Sequence, residues 1–217
     1  MAKIQNQSIC QLCPRLVALR NEANIKNPDW HNAPVPAFGD KNAKLAIIGM
    51  APGMGGANRT GRPFTGDHAG DLLFQTLAKA GLSKGKYGRR ADDGLELIDT
   101  IIVNVVRCVP PQNKPTASEV KNCQGFLLDT FEGLPENCTY FALGRIAHDA
   151  FLTAVGLKRT AFPFSHGARH EIGNRAVLID SYHCSRYNTN TGRLTTKMFE
   201  TALFLAAKNA KIGNWAQ

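Results

Sequence analysis

The chain has 217 residues, 43% of them hydrophobic and 20% charged, which suits one large α/β domain with its own core and excludes a disordered or low-complexity protein. Twenty-six Lys and Arg against 17 Asp and Glu give a formal net charge of +9, a hint of an anionic polymer partner that carries no information about fold. No apolar run reaches the ~18 residues of a membrane span, and MAKIQNQSIC lacks the hydrophobic segment of a secretory signal, so a soluble, cytoplasmic protein is expected.

In chain order, QSICQLCPRLVALR opens with a C-x-x-C pair, Cys10 and Cys13, just ahead of a short helix. KLAIIG (44–49) reads as a strand, followed by a helix over 69–81 in which Leu72, Leu73, Leu77 and Ala80 share a face. DTIIVNVVRC (99–108) is a second strand, followed by a helix over 116–131 that opens with a capping box from Thr116 to Glu119. TYFALG (139–144) precedes a helix over 145–156, and AVLIDSYH (176–183) precedes an amphipathic helix over 194–210. Strands alternating with helices predict a single α/β domain over 1–217, with a central, mainly parallel four-stranded sheet covered on both faces. Ligands of such sheets bind beyond the carboxyl ends of the strands. The Gly-rich loop after 49, the RCVPPQNKP turn, the GR turn at 144–145 and the HCSRYNTNTGR loop therefore surround one crevice.

Inside a cell, six cysteines serve as ligands, catalysts or packing rather than disulfides. Cys108 ends the second strand and Cys123 lies in the helix after it. With Cys10 and Cys13 they make a four-thiol set for a tetrahedral zinc ion or a [4Fe–4S] cluster, the rival reading being that Cys108 and Cys123 are small buried hydrophobes. Cys138 reads as core packing, and Cys184 has no evident role.

The stretch GMAPGMGGANRTGRPFTGD (49–67) lacks the Gly-Lys-Ser/Thr ending of a Walker loop and has no proper G-x-G-x-x-G, which disfavours a nucleotide cofactor. Phe64 is either an inward anchor or a platform on which a flat ring stacks. Asp67 is either the N-cap of the next helix or a carboxylate facing the crevice, and Asp71 complements the helix dipole. Asn104 and Asn113 carry amides suited to a base edge, although Asn113 also suits a turn. His183, at a strand end, is placed to donate to an anionic oxygen, and Arg186 and Arg193 are natural phosphate contacts.

GMAPGMGGANRTGRPFTGD, RCVPPQNKPT and SYHCSRYNTNTGRLT together resemble the prokaryotic iron–sulfur members of the uracil-DNA glycosylase superfamily, in particular its family 5 (type b) branch. Met50 stands where the type-a branch carries a glutamate, and HCS replaces the His-Pro-Ser or His-Val-Ser of relatives. The resemblance implies a three-layer α/β/α sandwich and a [4Fe–4S] cluster on Cys10, Cys13, Cys108 and Cys123. It implies base stacking on Phe64, chemistry at Asp67, and a base pocket that includes Asn113 and His183. The full reading makes Asp67 and His183 catalytic and assigns Ala51, Gly53, Phe64, Asn104, Asn113 and Asn188 to the substrate. It gives DNA phosphates to Arg59, Arg62, Ser185, Arg186 and Arg193. The expected protein is a monomeric, monofunctional glycosylase that flips uracil, or another deaminated base such as hypoxanthine or xanthine, out of double-stranded DNA and leaves an abasic site. A non-catalytic iron–sulfur or zinc protein that binds nucleic acid as a redox sensor is the alternative.

Overall fold

The computed structural model describes residues 10–173 and 176–214, so the first nine residues, read above for a secretory signal, lie outside the described residues. Helix α1 (Pro14–Lys26) starts on a proline, whose missing N–H costs nothing in the first turn. A two-residue strand β1 (Phe38–Gly39) leads to β2 (Leu45–Gly49), and a one-turn helix α2 (Ala57–Thr60) lies inside the Gly-rich loop. Helix α3 (His68–Lys79) is followed by a small hairpin of β3 (Ser83–Lys84) and β4 (Glu96–Leu97), and then by β5 (Thr100–Asn104). After a 3-10 turn at Pro111–Asn113 comes α4 (Ala117–Glu132), which carries the capping box: Thr116 accepts from the Glu119 backbone, and Glu119 accepts from the Thr116 backbone. The second half runs β6 (Thr139–Leu143), α5 (Arg145–Ala154), β7 (Arg169–Ile172), β8 (Ala176–Ser181), α6 (Arg186–Asn190) and α7 (Thr196–Ala210).

The sheet has the order β1-β5-β2-β6-β8-β7. Its four central strands are parallel, with Ile47 level with Ile102 and Phe141, and they are the four expected from the sequence. The edges are antiparallel: β1 pairs with β5 and β7 with β8. Neither edge was expected, because two residues of β1 hold no periodicity and β7 (RHEI) reads as polar.

Alternation along the buried strands sends side chains to opposite layers. Leu45, Ile47, Ile102 and Phe141 meet α3 and α7 on one face, where Leu73, Leu77, Phe199 and Leu203 are wholly buried. Ile48, Val103 and Ala142 meet α1, α4 and α5 on the other, through Leu16, Leu127 and Phe151. Each large aliphatic side chain so buried contributes about 1.5–3 kcal/mol. The result is the three-layer sandwich, with the carboxyl ends of all four parallel strands on one rim.

Candidate active site

One cavity of about 950 Å³ opens on that rim, lined from the loops after β2, β5, β6 and β8. It brings together Ala51, Gly53, Phe64, Asp67, Asn104, Asn113, His183, Ser185, Arg186, Asn188 and Arg193. Arg59 and Arg62 are not among its lining residues.

Phe64 is buried and sits in a left-handed backbone, φ 55°, unusual for any residue but glycine. Its ring stacks on that of His183, with centroids 5.9 Å apart and planes 26° from parallel. The contact spans β6, since the Phe64 loop follows β2 and His183 follows β8. Two glycines make room for this arrangement. A Cβ at Gly49 would stand 2.3 Å from Asn104 Oδ1 and 2.6 Å from Phe64 Cε2, and one at Gly70 would stand 1.7 Å from the Phe64 carbonyl.

Asp67 combines both of its sequence readings. Its Oδ1 caps α3, accepting from the Gly70 N–H at 3.1 Å. Its Oδ2 points at the backbone of Gly53 and Gly56, where added Cβ atoms would lie 3.3 and 2.6 Å away. Burial raises the Asp67 carboxyl above the usual range, opposed by the Gly70 and Ala69 N–H groups. Asn104 is buried, and its Oδ1, which has no partner, packs with the Phe64 ring edge against Gly49. Burial pulls His183 down to about 4, so its imidazole is neutral at pH 7.

Several assignments change. Arg62 is not a phosphate contact: it is 4% exposed and forks onto Asp93 with two bonds of 2.7 Å, which hold that carboxyl far below its ordinary range. The amide of Asn188 donates to the His183 carbonyl at 2.8 Å, so it shapes the loop as well as lining the cavity. Ser185 caps α6 by accepting from the Asn188 N–H. Cys184 is core, wholly buried with its thiol against the Ala69 carbonyl at 3.4 Å. Asn113 is an exposed turn residue with φ 55° that still reaches the cavity. Arg59 and Arg186 are exposed, and Arg193 lies 4.6 Å over the Tyr182 ring.

The sequence reading missed the wall formed by Phe164, Ser165 and Tyr182, with the Arg145 guanidinium 5.2 Å over the Phe164 ring. AFPFSHGAR carries aromatics beside a proline, but no periodicity says which way they face.

Cys10, Cys13, Cys108 and Cys123 converge on a second, small cavity between α1 and α4. Three N–H groups point at its sulfurs: Arg20 Nη1 at 3.1 Å from Cys108, the Arg107 backbone at 3.4 Å from Cys123, and Asn122 Nδ2 at 3.5 Å from Cys13. Burial pushes the Cys108 thiol up and Cys123 up to about 12. Among the described residues, the set of three ligand atoms lying within 4.8 Å of one another is that of His148, His170 and Asp180, and it includes none of these sulfurs. In a tetrahedral zinc site, Zn–S bonds of about 2.3 Å hold the sulfurs ~3.8 Å apart. In the His148 set, Nε2 meets the Phe162 carbonyl at 2.8 Å, so it carries a hydrogen, while Nδ1 is taken by Asp180.

The family model of the uracil DNA glycosylase superfamily matches residues 36–206. A Type-5 uracil-DNA glycosylase of Thermus thermophilus is 45% identical over 215 residues, covering 96% of this chain and 97% of that protein. One of Pyrobaculum aerophilum is 40% identical over 207 residues, covering 93% and 89%. A Type-4 uracil-DNA glycosylase of Archaeoglobus fulgidus is 31% identical over 153 residues, 69% of each chain. With its parallel sheet, its rim cavity and a match across most of its length, the chain belongs to the uracil-DNA glycosylase superfamily.

Proposed function

We propose that the protein is a DNA-repair hydrolase that excises uracil from DNA. The observation that carries the reading is the meeting of Phe64, Asn104, Asp67 and His183 in one cavity, although they come from the carboxyl ends of three different strands or the loops after them. A uracil rotated out of the duplex, at a cost of a few kcal/mol that is least at a mismatch, stacks on Phe64. Asn104, which lines the same cavity, offers its side-chain amide to the base edge. As the N-glycosidic bond breaks, the electron pair leaves with the base. The neutral His183 then donates a ring N–H to the carbonyl oxygen where the charge gathers. Water adds its hydroxyl to the sugar carbon while its proton passes to the Asp67 carboxylate and on to the released uracil anion, and Asp67 Oδ2 orients that water or steadies the cationic sugar. No amine faces this chemistry as a nucleophile among the residues named, so an abasic site is the product.

Double-stranded DNA is held by exposed Arg59, Arg186 and Arg193, a term that falls steeply with salt. Hypoxanthine and xanthine are further candidates for the same pocket. The protein acts as a cytoplasmic, nucleoid-associated monomer.

The four-thiol cavity takes a [4Fe–4S] cluster, supported by the convergence of the four cysteines on one cavity and by the three N–H···S contacts, which favour thiolates. Bound there, the cluster supplies a structural cross-link of the N-terminal segment to β5 and α4.

The test is a duplex with one uracil, treated with the protein and then with alkali. Strand scission at the uracil, with free uracil in solution, is expected. DNA binding without base release would instead favour a non-catalytic nucleic-acid-binding sensor. Iron and acid-labile sulfide assays on the purified protein, against zinc, test the cluster independently.

A further inference from the structure

The loop between β3 and β4 is absent from every motif discussed above, yet it reaches the back of the Gly-rich loop. Tyr87 is its key residue. The phenol donates to the Phe64 carbonyl at 3.2 Å and accepts from the Gly66 N–H at 3.1 Å, bridging the two ends of the segment that holds the stacking ring. Phe64 holds a positive φ of 55°, strained for a residue with a side chain, so this backbone needs external restraint to keep its shape, while the 93° at Gly66 suits its glycine.

Tyr87 is itself fixed. Its ring packs on buried Phe74, with centroids 4.4 Å apart, and the Arg62 guanidinium lies 5.9 Å over it. Arg62 is locked by Asp93 from the same loop, and its Nε bonds Thr65 Oγ1 at 2.7 Å, so it grips the segment as well. Asp93 in turn accepts from the Gly88 and Leu95 N–H groups. Burial pushes the Tyr87 phenol up, so it keeps its proton to donate at neutral pH.

We propose that Tyr87, which touches no substrate, is a positioning residue that sets the stacking face of Phe64 through its hydroxyl and thereby the rate of base excision. This rests on the proposed role of Phe64 in uracil excision. A platform displaced by a fraction of an ångström still binds DNA but presents the base poorly to Asp67 and His183.

The test is a cycle of wild type, Tyr87→Phe, Phe64→Ala and the double variant, read as single-turnover uracil release and as affinity for product DNA with an abasic site. Y87F deletes one oxygen and keeps the ring on Phe74. It is expected to slow excision about tenfold, with product affinity within about twofold and the same folded far-UV spectrum. In the F64A background the same substitution is expected to add nothing, because its effect runs through the ring. An unchanged Y87F rate, or an equal slowing with and without Phe64, overturns the proposal. Absence of uracil release by the wild type overturns the functional reading itself, a different outcome.

Discussion

His148 Nδ1 stands 2.8 Å from Asp180 Oδ1, both side chains almost wholly buried, and joins the middle of α5 to the end of β8. The other carboxylate oxygen meets His170 Nε2 at 3.1 Å, and the Phe162 carbonyl takes the second nitrogen of His148. Burial pulls the His148 pKa down, but the Asp180 and Phe162 contacts together outweigh it, so the net shift is upward.

A histidine with a raised folded pKa contributes stability that is complete below the unfolded value of about 6.5 and is lost as pH climbs through the folded one. Thermal melts from pH 6 to 9 should therefore show a falling Tm in the wild type and a flatter trend in His148→Gln. Removing one partner of a buried pair costs about 3–5 kcal/mol, so H148Q should also melt lower throughout.

Asp67 should separate its two duties by substitution. Asp67→Asn keeps a good cap, and its Tm should stay near wild type while excision falls about 10²–10⁴-fold. Asp67→Ala should match that loss of rate and lose about 1 kcal/mol of stability as well. An active D67N would move the chemistry to another group.

The acid limb of the rate profile follows from two shifts. In its proposed role Asp67 works ionised, and burial raises its pKa, so activity should fade on acidification above the ~3.9 of an ordinary aspartate. His183 stays neutral down to about 4 and keeps its donor through that range. His183→Asn should lower the rate while leaving the midpoint of the limb in place.

Arg62 and Arg186 should differ in kind. Arg62→Ala breaks a buried ion pair and should destabilise by about 3–5 kcal/mol. Arg186→Ala should leave stability within about 0.5 kcal/mol and reduce the slope of log affinity against log salt by about one. A lower salt slope in R62A at full stability would restore its assignment to phosphate.

Much of this could be read from the chain. The four central strands announce themselves as unbroken β-branched and apolar runs, and Thr116 with Glu119 mark the start of α4 by spacing alone. The loops of the site follow from topology, since parallel strands bring their carboxyl ends to one rim. What stayed hidden depends on partners distant in sequence. Nothing near Arg62 in GRPF indicates that Asp93, 31 residues on, will bury it. Tyr87 likewise sits in a polar hairpin, and only the fold brings its hydroxyl under Phe64.

The 5.9 Å between the Phe64 and His183 rings also has a consequence for how a base can lie. A third ring sandwiched between them would need about 7 Å, two contacts of ~3.5 Å. The gap is too narrow, so a base could stack on Phe64 only with the imidazole swung off that face to the rim, where its N–H would meet the base edge. One flat wall and one rim donor fix its rotation as well as its plane, and the site thereby reads the compass bearing of the base.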